Sequence, residues 1–599
     1  MLDGRIYRTG LIVAALALVV LGFSLRNQQS ALSPTLSPAV FSGQNVSTEM
    51  ASIAANEPDR RPGSVDDQNL ATSVFQTFKR YGLNPTTDTF SGRTVDGTRE
   101  LENVVGVWPG SKAGSIVVAA PRDALAGPAQ AAASGTAMLL ELARDLSGET
   151  LNRTVVLAST SGSAGTAGSI RLASTLAGPV DAVLVLGDVG SSRVRQPLVV
   201  PWSSQASVAP PLLRNTLAAA LNAQTPLTAG FTGLGGQFVH LAFPFTLGQQ
   251  APFAAAGIPA VELSLSGERG AAADAPVAGA DQLTGIGRAV LQTISALDSG
   301  PAVPAPSAYV LLDGKVVPGW ALSLFALALF VPVLMTTIDG VARARRRGHL
   351  IWRSLALVIA SAVPFLLAVL VVLAARLLGV IGVAPPGPVA PGAIPLRGSG
   401  VTVLVVAVLV MLGSAAGAYA LVRRLPTRTR DSRGSRDSRG RRAERSRDGA
   451  VAGLLVVMCT VTFAIWRGNP FAALLLIPAL HLWTWAVSPD LRIPRAARIV
   501  LVLVGLAPAV LVILYYAHGL GYGPMAVIWQ AALLLAGHGV SLLAAVEWSV
   551  VLGCLFRAAT LSLLATRGSH VAPVPVTVRG PATYAGPGSL GGTKSALRR

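Results

Sequence analysis

The feature that most constrains this chain lies after Pro318, where one long apolar stretch follows another with only short loops between. Residues 320–338, 355–378, 401–422, 450–466, 471–487, 499–516 and 525–545 are each long and apolar enough to be read as a crossing helix. At 1.5 Å rise per residue, about 20 residues span the hydrocarbon of a bilayer. A further stretch, 546–565, carries Glu547 and Arg557. It reads as a last span, a re-entrant segment or an interfacial helix. Near the N-terminus, Arg5 and Arg8 precede an apolar run from Leu11 to Phe23, and no small-x-small cleavage site follows it. That pattern predicts an uncleaved signal anchor, and it brings the count to eight spans.

Composition fits this division. Of 599 residues, 51% are hydrophobic and 13% charged, with a mean hydropathy of +0.56, where a soluble chain would be about a quarter charged. The net charge of +19 does not point to nucleic acid. Much of the arginine flanks apolar runs, which is the positive-inside pattern. Arg343, Arg345, Arg346, Arg347 and Arg353 mark one loop. The Arg/Asp/Ser run 423–448 marks a second, expected to be disordered, and Arg492, Arg495 and Arg498 a third. With the N-terminus inside, all three fall on the cytoplasmic side. The loop from Ala384 to Leu396 is rich in Pro and Gly and falls on the opposite side with the large block 26–316. The expected organisation is a cytoplasmic N-terminus and anchor (1–25), an extracytoplasmic domain (26–316), a bundle of about seven spans (317–566) and a disordered tail (567–599). The expected location is the plasma membrane, crossed several times, and the expected partners are the lipid bilayer and one or more membrane proteins. Cys459 and Cys554 both lie in apolar spans, so no disulfide framework is indicated.

Within the block 26–316, residues 26–64 are polar and read as irregular. Beyond them, β-branched runs at 115–120, 154–158 and 182–186 read as buried parallel strands. Residues 134–146, 208–223 and 285–297 have helical spacing. The alternation predicts an α/β domain with a mostly parallel sheet, joined to an α-helical transmembrane bundle.

Several segments, in order, resemble the M28 family of zinc aminopeptidases, whose domain is phosphorylase/hydrolase-like. These are 59–64 (Asp-Arg-Arg-Pro-Gly-Ser), 103–110 (Asn-Val-Val-Gly-Val-Trp-Pro-Gly), 116–123 (Ile-Val-Val-Ala-Ala-Pro-Arg-Asp), the helix 133–144, 165–169 (Gly-Thr-Ala-Gly-Ser), 186–190 (Leu-Gly-Asp-Val-Gly) and 252–260 (Pro-Phe-Ala-Ala-Ala-Gly-Ile-Pro-Ala). The resemblance implies a two-zinc site of His and carboxylate ligands sharing a hydroxide. It places Pro121 at the first His, Ala131 at the bridging Asp, Gly162 and Ser163 at the Glu pair, and Gln250 at the last His. Asp188 keeps the strand-end carboxylate, and Asp123 keeps the one that would orient the first His. Pro and Ala offer a metal no lone pair, and the block 26–316 holds a single histidine, His240. No metal or other cofactor is therefore expected, and these positions are read as vestigial.

Each remaining group has an ordinary structural reading. Asp188 is a turn or cap residue, Asp123 a loop hydrogen-bonder, His240 a half-buried residue, and Glu102, Asn103 and Glu262 surface or strand-edge groups. Ser134 and Ser163 have no base at recognisable spacing. Ionisable residues in the apolar spans suggest function by default. His538 and Glu547 form a candidate intramembrane polar site, and His481 a weaker one.

The layout is similar to that of the attachment subunit of the eukaryotic GPI transamidase, at the level of architecture only. The Ala-, Gly- and Arg-rich composition is that of a high-GC bacterial chain, where that complex is not expected. The reading that follows is a pseudo-peptidase that holds a peptide, glycan or lipid, or scaffolds a membrane complex. Two alternatives stay open: an M28-type hydrolase with altered chemistry, and a lipid-handling or transport protein, for which the spans show no internal repeat.

Overall fold

The computed structural model describes residues 4–33, 41–125, 130–270, 272, 274–346, 351–424, 436–488, 491 and 493–563. The expected tail 567–599 and the centre of the Arg-rich run, 425–435, lie outside them.

Seven strands form one sheet: β1 (Asn84–Thr94), β2 (Gly97–Trp108), β3 (Ser115–Pro121), β4 (Thr154–Thr160), β5 (Val180–Leu186), β6 (Val199–Val200) and β7 (Ala260–Leu263), in the order β1-β2-β4-β3-β5-β7-β6. Four central strands, β4, β3, β5 and β7, run parallel. The β1–β2 hairpin and β6 pair antiparallel at the two edges. The sheet is thus mixed rather than mostly parallel. The hairpin escapes a search for β-branched runs because β1 reads Asn-Pro-Thr-Thr-Asp-Thr-Phe-Ser-Gly-Arg-Thr, a polar edge strand held by its partner's ladder.

The central strands carry apolar residues at nearly every position because both faces are covered. In β3, Ile116, Val118 and Ala120 join the larger core, under helices Gly43–Asn56, Ser134–Asp145 and Ala280–Ser299. Val117 and Ala119 face the other way, toward Leu172 and Phe253 of the short helices Ala167–Thr175 and Ala251–Ala255. Burying each such Val or Ile contributes roughly 1.5–3 kcal/mol before chain entropy is counted. Helix Gly43–Asn56 corrects the irregular reading of 26–64. Val46, Met50, Ile53 and Ala54 repeat at helical spacing, and the Ser42 side chain accepts from Asn45 N–H at the cap. Arg26–Asn27 also pairs with Lys315–Pro318, so the two ends of the block meet.

Among the described residues, eight helices are long and apolar enough to cross a membrane. The first, Gly4–Phe23, lies along Gly319–Arg346, and Gly10 sits against Pro332 where a Cβ would collide. Two expectations change here. The stretch 525–545 is not one helix: Pro524–Gly537 stops at His538, which adopts left-handed backbone (φ 63°), and Leu542–Leu563 then supplies the last long apolar helix. Part of the expected disordered run is helical, because Arg436–Gly468 forms one helix.

The α/β domain and the helices share packing. Val200, Trp202, Leu241 and Tyr309 belong to the same buried cluster as Leu454, Phe471 and Leu480. Arg269 donates to the carbonyls of His518 (2.5 Å) and Gly519 (2.8 Å) at the C-terminal end of helix Ala507–Leu520, where a cation suits the helix dipole.

Candidate functional site

Parallel strands present their carboxyl ends on one edge, where ligand sites of open α/β sheets are found. Here β3 ends at Pro121 and leads to Arg122 and Asp123. The β4 strand leads to Gly162 and Ser163, and β5 to Gly187 and Asp188. Asp123, Ser163 and Asp188 thus follow the ends of three neighbouring parallel strands. Asp123 accepts from Ser163 N–H (3.0 Å) and Ser163 O–H (2.8 Å). Ser163 O in turn accepts from the Gln249 amide at 2.6 Å. Gln249 N–H donates to Glu262 at 2.5 Å. Ser134 donates to Ala131 O (2.6 Å) and accepts from Val189 N–H (3.0 Å), fixing the helix start beside the Asp188 turn.

The loop carrying Asp123 is itself anchored. Ala124 N–H donates to Arg60 O at 2.8 Å. Gly63, in left-handed backbone at φ 72°, donates to Asp67. Arg122, fully buried, lies 2.8 Å from the Asp67 carboxylate and donates to the carbonyls of Glu102 (2.6 Å) and Ser159 (3.3 Å). Asn103 is not a surface residue. It is buried and donates to Gly168 O at 3.0 Å, pinning the turn after β4.

Besides Asp67, three carboxyls among the described residues, Asp123, Asp188 and Glu262, accept from protein donors here. Asp188 accepts from Gly190 N–H (3.2 Å), Ser191 N–H (3.0 Å) and Ser266 O–H. Burial raises its pKa and these donors oppose the rise. Burial pushes Asp123 up to about 6; the nearby Asp67 charge adds to this, and the Ser163 bonds resist it. Glu262, read from sequence as a strand-edge group, is instead 7% exposed within β7. Burial pushes it up to about 7, against the Gln249 and Gln250 amides and with help from the Asp188 and Glu268 charges. The sequence signal for Glu262 is a lone carboxylate inside a buried four-residue strand, Ala-Val-Glu-Leu.

Gln250, at the last-ligand position, is fully buried and donates to Trp202 O at 2.9 Å. Trp202 stacks on His240, with centroids 4.3 Å apart, and donates to Glu268 at 2.8 Å. His240 Nε2 lies 3.1 Å from Glu268. Tyr515 and Tyr516, from the apolar helix Ala507–Leu520, set their edges against the same imidazole at 5.7 and 5.5 Å. His240 is thus fully buried rather than half-buried, and it belongs to the junction between domain and helices.

The residues present do not fit a zinc pair. Among the described residues, no three His, Cys, Asp or Glu side chains are grouped so as to hold a metal ion. Pro121, Ala131 and Gly162 offer no side-chain donor atom. The loop containing Pro385 and Gly387 lies on the Gly165–Thr166 turn beyond β4, and a Cβ at Gly165 would collide with Pro385. The intramembrane candidates are not joined. His538 is exposed and bonds Arg376 at 2.5 Å, and Glu547 is half-buried in the next helix. His481 accepts or donates at 2.6 Å with Tyr7 of the first helix, and its Nε2 lies 3.0 Å from Leu329 O.

Fold and site together define a mixed α/β domain packed onto a set of apolar helices. No family model matches the sequence, and no curated protein matches it. Solved structures similar to it include a glutaminyl cyclase from an Acidobacteriales bacterium (19% identity, TM-score 0.35, covering 44% of this chain and 97% of that one). A putative zinc-dependent exopeptidase from Bacteroides vulgatus is similar at 16% identity and TM-score 0.33, covering 43% and 98%. A zinc-dependent exopeptidase from Parabacteroides distasonis is similar at 14% identity and TM-score 0.33, covering 43% and 99%.

Proposed function

We propose that this protein is a multi-pass membrane protein whose α/β domain is a pseudo-peptidase: it binds a peptide, glycan or lipid, or scaffolds a membrane complex, without hydrolysing a substrate. The observation that carries this reading is the state of the strand-end carboxyls. Asp123, Asp188 and Glu262 are each taken up by protein donors. A hydrolytic metal site needs such groups free and supported by imidazoles. On this reading the zinc ligands of an M28-like ancestor have been replaced, and the domain lies on the extracytoplasmic side of the plasma membrane. The packing of the Pro385 loop on that domain supports its side, since this loop is the one poor in charge.

One observation favours the alternative, an M28-type hydrolase with altered chemistry. Glu262 is buried with its pKa raised to about 7, which suits a group that takes and gives protons near neutrality. Metal analysis and peptidase assays on the purified full-length protein separate the two. Stoichiometric zinc, or turnover of aminoacyl substrates that Glu262→Gln abolishes, would establish the hydrolase. The scaffold reading expects neither, and expects crosslinking in native membranes to trap one stoichiometric membrane partner.

A further inference from the structure

A cavity of about 430 Å³ lies between the loop at Ile394–Leu396 and the start of helix Pro524–Gly537. It is far larger than the roughly 30 Å³ that one water takes in the liquid, and it falls within the size range of ligand sites. Its walls are mainly apolar: Ile394, Leu396, Met525 and Trp529 contribute, and Trp529 N–H is already used on Ile394 O at 3.0 Å. The same loop touches the α/β domain through Pro385 at Gly165, and beside the cavity its Val389 carbonyl accepts from Tyr522 O–H.

Two independent polar features face it. Helix Pro524–Gly537 begins there after Gly523, with no side-chain cap. The first-turn amides of Met525 and Ala526 have no acceptor within the helix and stand at its positive end. One turn on, Gln530 lines the cavity while 4% exposed, and its amide nitrogen has no hydrogen-bond partner among the described residues. A buried unpaired amide is costly unless something accepts from it. Apolar walls, a free helix N-terminus and a lone donor deeper in call for a molecule with an anionic head, an ester oxygen beside it and a hydrocarbon chain.

We infer that this cavity holds one glycerophospholipid of the bilayer. Its phosphate sits over the Met525 and Ala526 amides, an ester oxygen accepts from Gln530, and an acyl chain lies against Ile394, Leu396 and Met525. The helix is only 14 residues long, shorter than the roughly 20 residues that span a bilayer. This site is separate from the strand-end carboxyls and does not depend on whether they are catalytic.

The test uses the full-length protein in maltoside detergent, a medium without phosphate, with a trace of phosphatidylglycerol bearing a photoactivatable acyl chain. After irradiation, label should concentrate on peptides containing Ile394, Leu396 and Met525. It should fall about tenfold in Gln530→Leu, the loss of one hydrogen bond to a polar head, and fall further in Ala526→Trp, which fills the cavity. Unlabelled phosphatidylglycerol should compete. Gln530→Leu removes a nitrogen that has no partner, so its elution and unfolding temperature should match the wild type, which separates lost binding from lost folding. Label spread evenly over all the apolar helices and unchanged in both variants would overturn the site. Equal competition by diacylglycerol, or displacement by inorganic phosphate alone, would overturn the assignment of a whole phospholipid.

Discussion

Glu262 makes the stability of the α/β domain depend on pH in a direction that can be worked out beforehand. Its pKa goes from an ordinary 4.5 in the open chain to about 7 in the folded one. Burial, the largest cause, disfavours the charged form. The folded state therefore keeps a proton that the unfolded state releases, and the contribution is fully present below about pH 4.5. It declines as pH rises and is gone above about pH 7, a span worth about 3 kcal/mol in total. Asp123 acts in the same direction over a lower window, from 3.8 to about 6. Glu262→Gln keeps the shape and an acceptor for the Gln249 amide, and removes the titration. The assay is hydrogen exchange of β5 and β7 amides in the full-length protein, converted to opening free energies at a series of pH values. The wild type should lose stability steadily between about pH 4 and 7. Glu262→Gln should flatten the upper part of that fall and leave the lower part, to which Asp123 and Asp145, both raised from 3.8 to about 6, contribute. A wild-type profile that is level or rises with pH would refute the reasoning, as would a Gln variant that follows the wild type above pH 6, the upper limit of the Asp123 window.

Other perturbations test the supports of the site. Arg122→Met leaves Asp67 charged in a site where both side chains are essentially unexposed; it should cost about 3–5 kcal/mol, read as lost exchange protection in β3 and β4, with Asp67→Asn in the same chain restoring part. Gly165→Leu puts a side chain at φ 90° against Pro385; it should cost about 1–3 kcal/mol in backbone strain and expose the loop around Pro385 to exchange. His240→Ala removes the stacking face of Trp202 and the partner of Glu268; it should destabilise the junction by about 2 kcal/mol, measured as a shifted Trp emission and a lower unfolding temperature.

Much of the architecture is legible in the amino-acid sequence. The apolar runs announce the long helices because a bilayer-length stretch without charge has few other uses. The runs at 115–120, 154–158 and 182–186 announce the central strands because a strand covered on both faces must be apolar throughout. The failures have equally physical causes. The Asn84–Thr94 strand carries too little apolar pattern to be seen alone, since its pairing with Gly97–Trp108 supplies what its side chains do not. The apolar stretch 525–545 hides a turn at His538, because hydropathy averages over backbone geometry and a left-handed residue leaves no mark in composition.

The strand-end positions show the same split. That Pro121, Ala131 and Gly162 carry no side-chain group able to hold a metal follows from their identity alone. That Asp123, Asp188 and Glu262 lie together, each accepting from protein donors, does not. Their bonds reach across as much as 78 residues, from Ser266 to Asp188, and no local pattern encodes such a distance. Nor does sequence reveal that His240 is sealed between Trp202 and two tyrosines of an apolar helix. Chain order fixes which groups exist and which segments must leave water. Only the packing of sheet edge against helices decides which of those groups meet, how deeply they are buried, and hence which protons they hold.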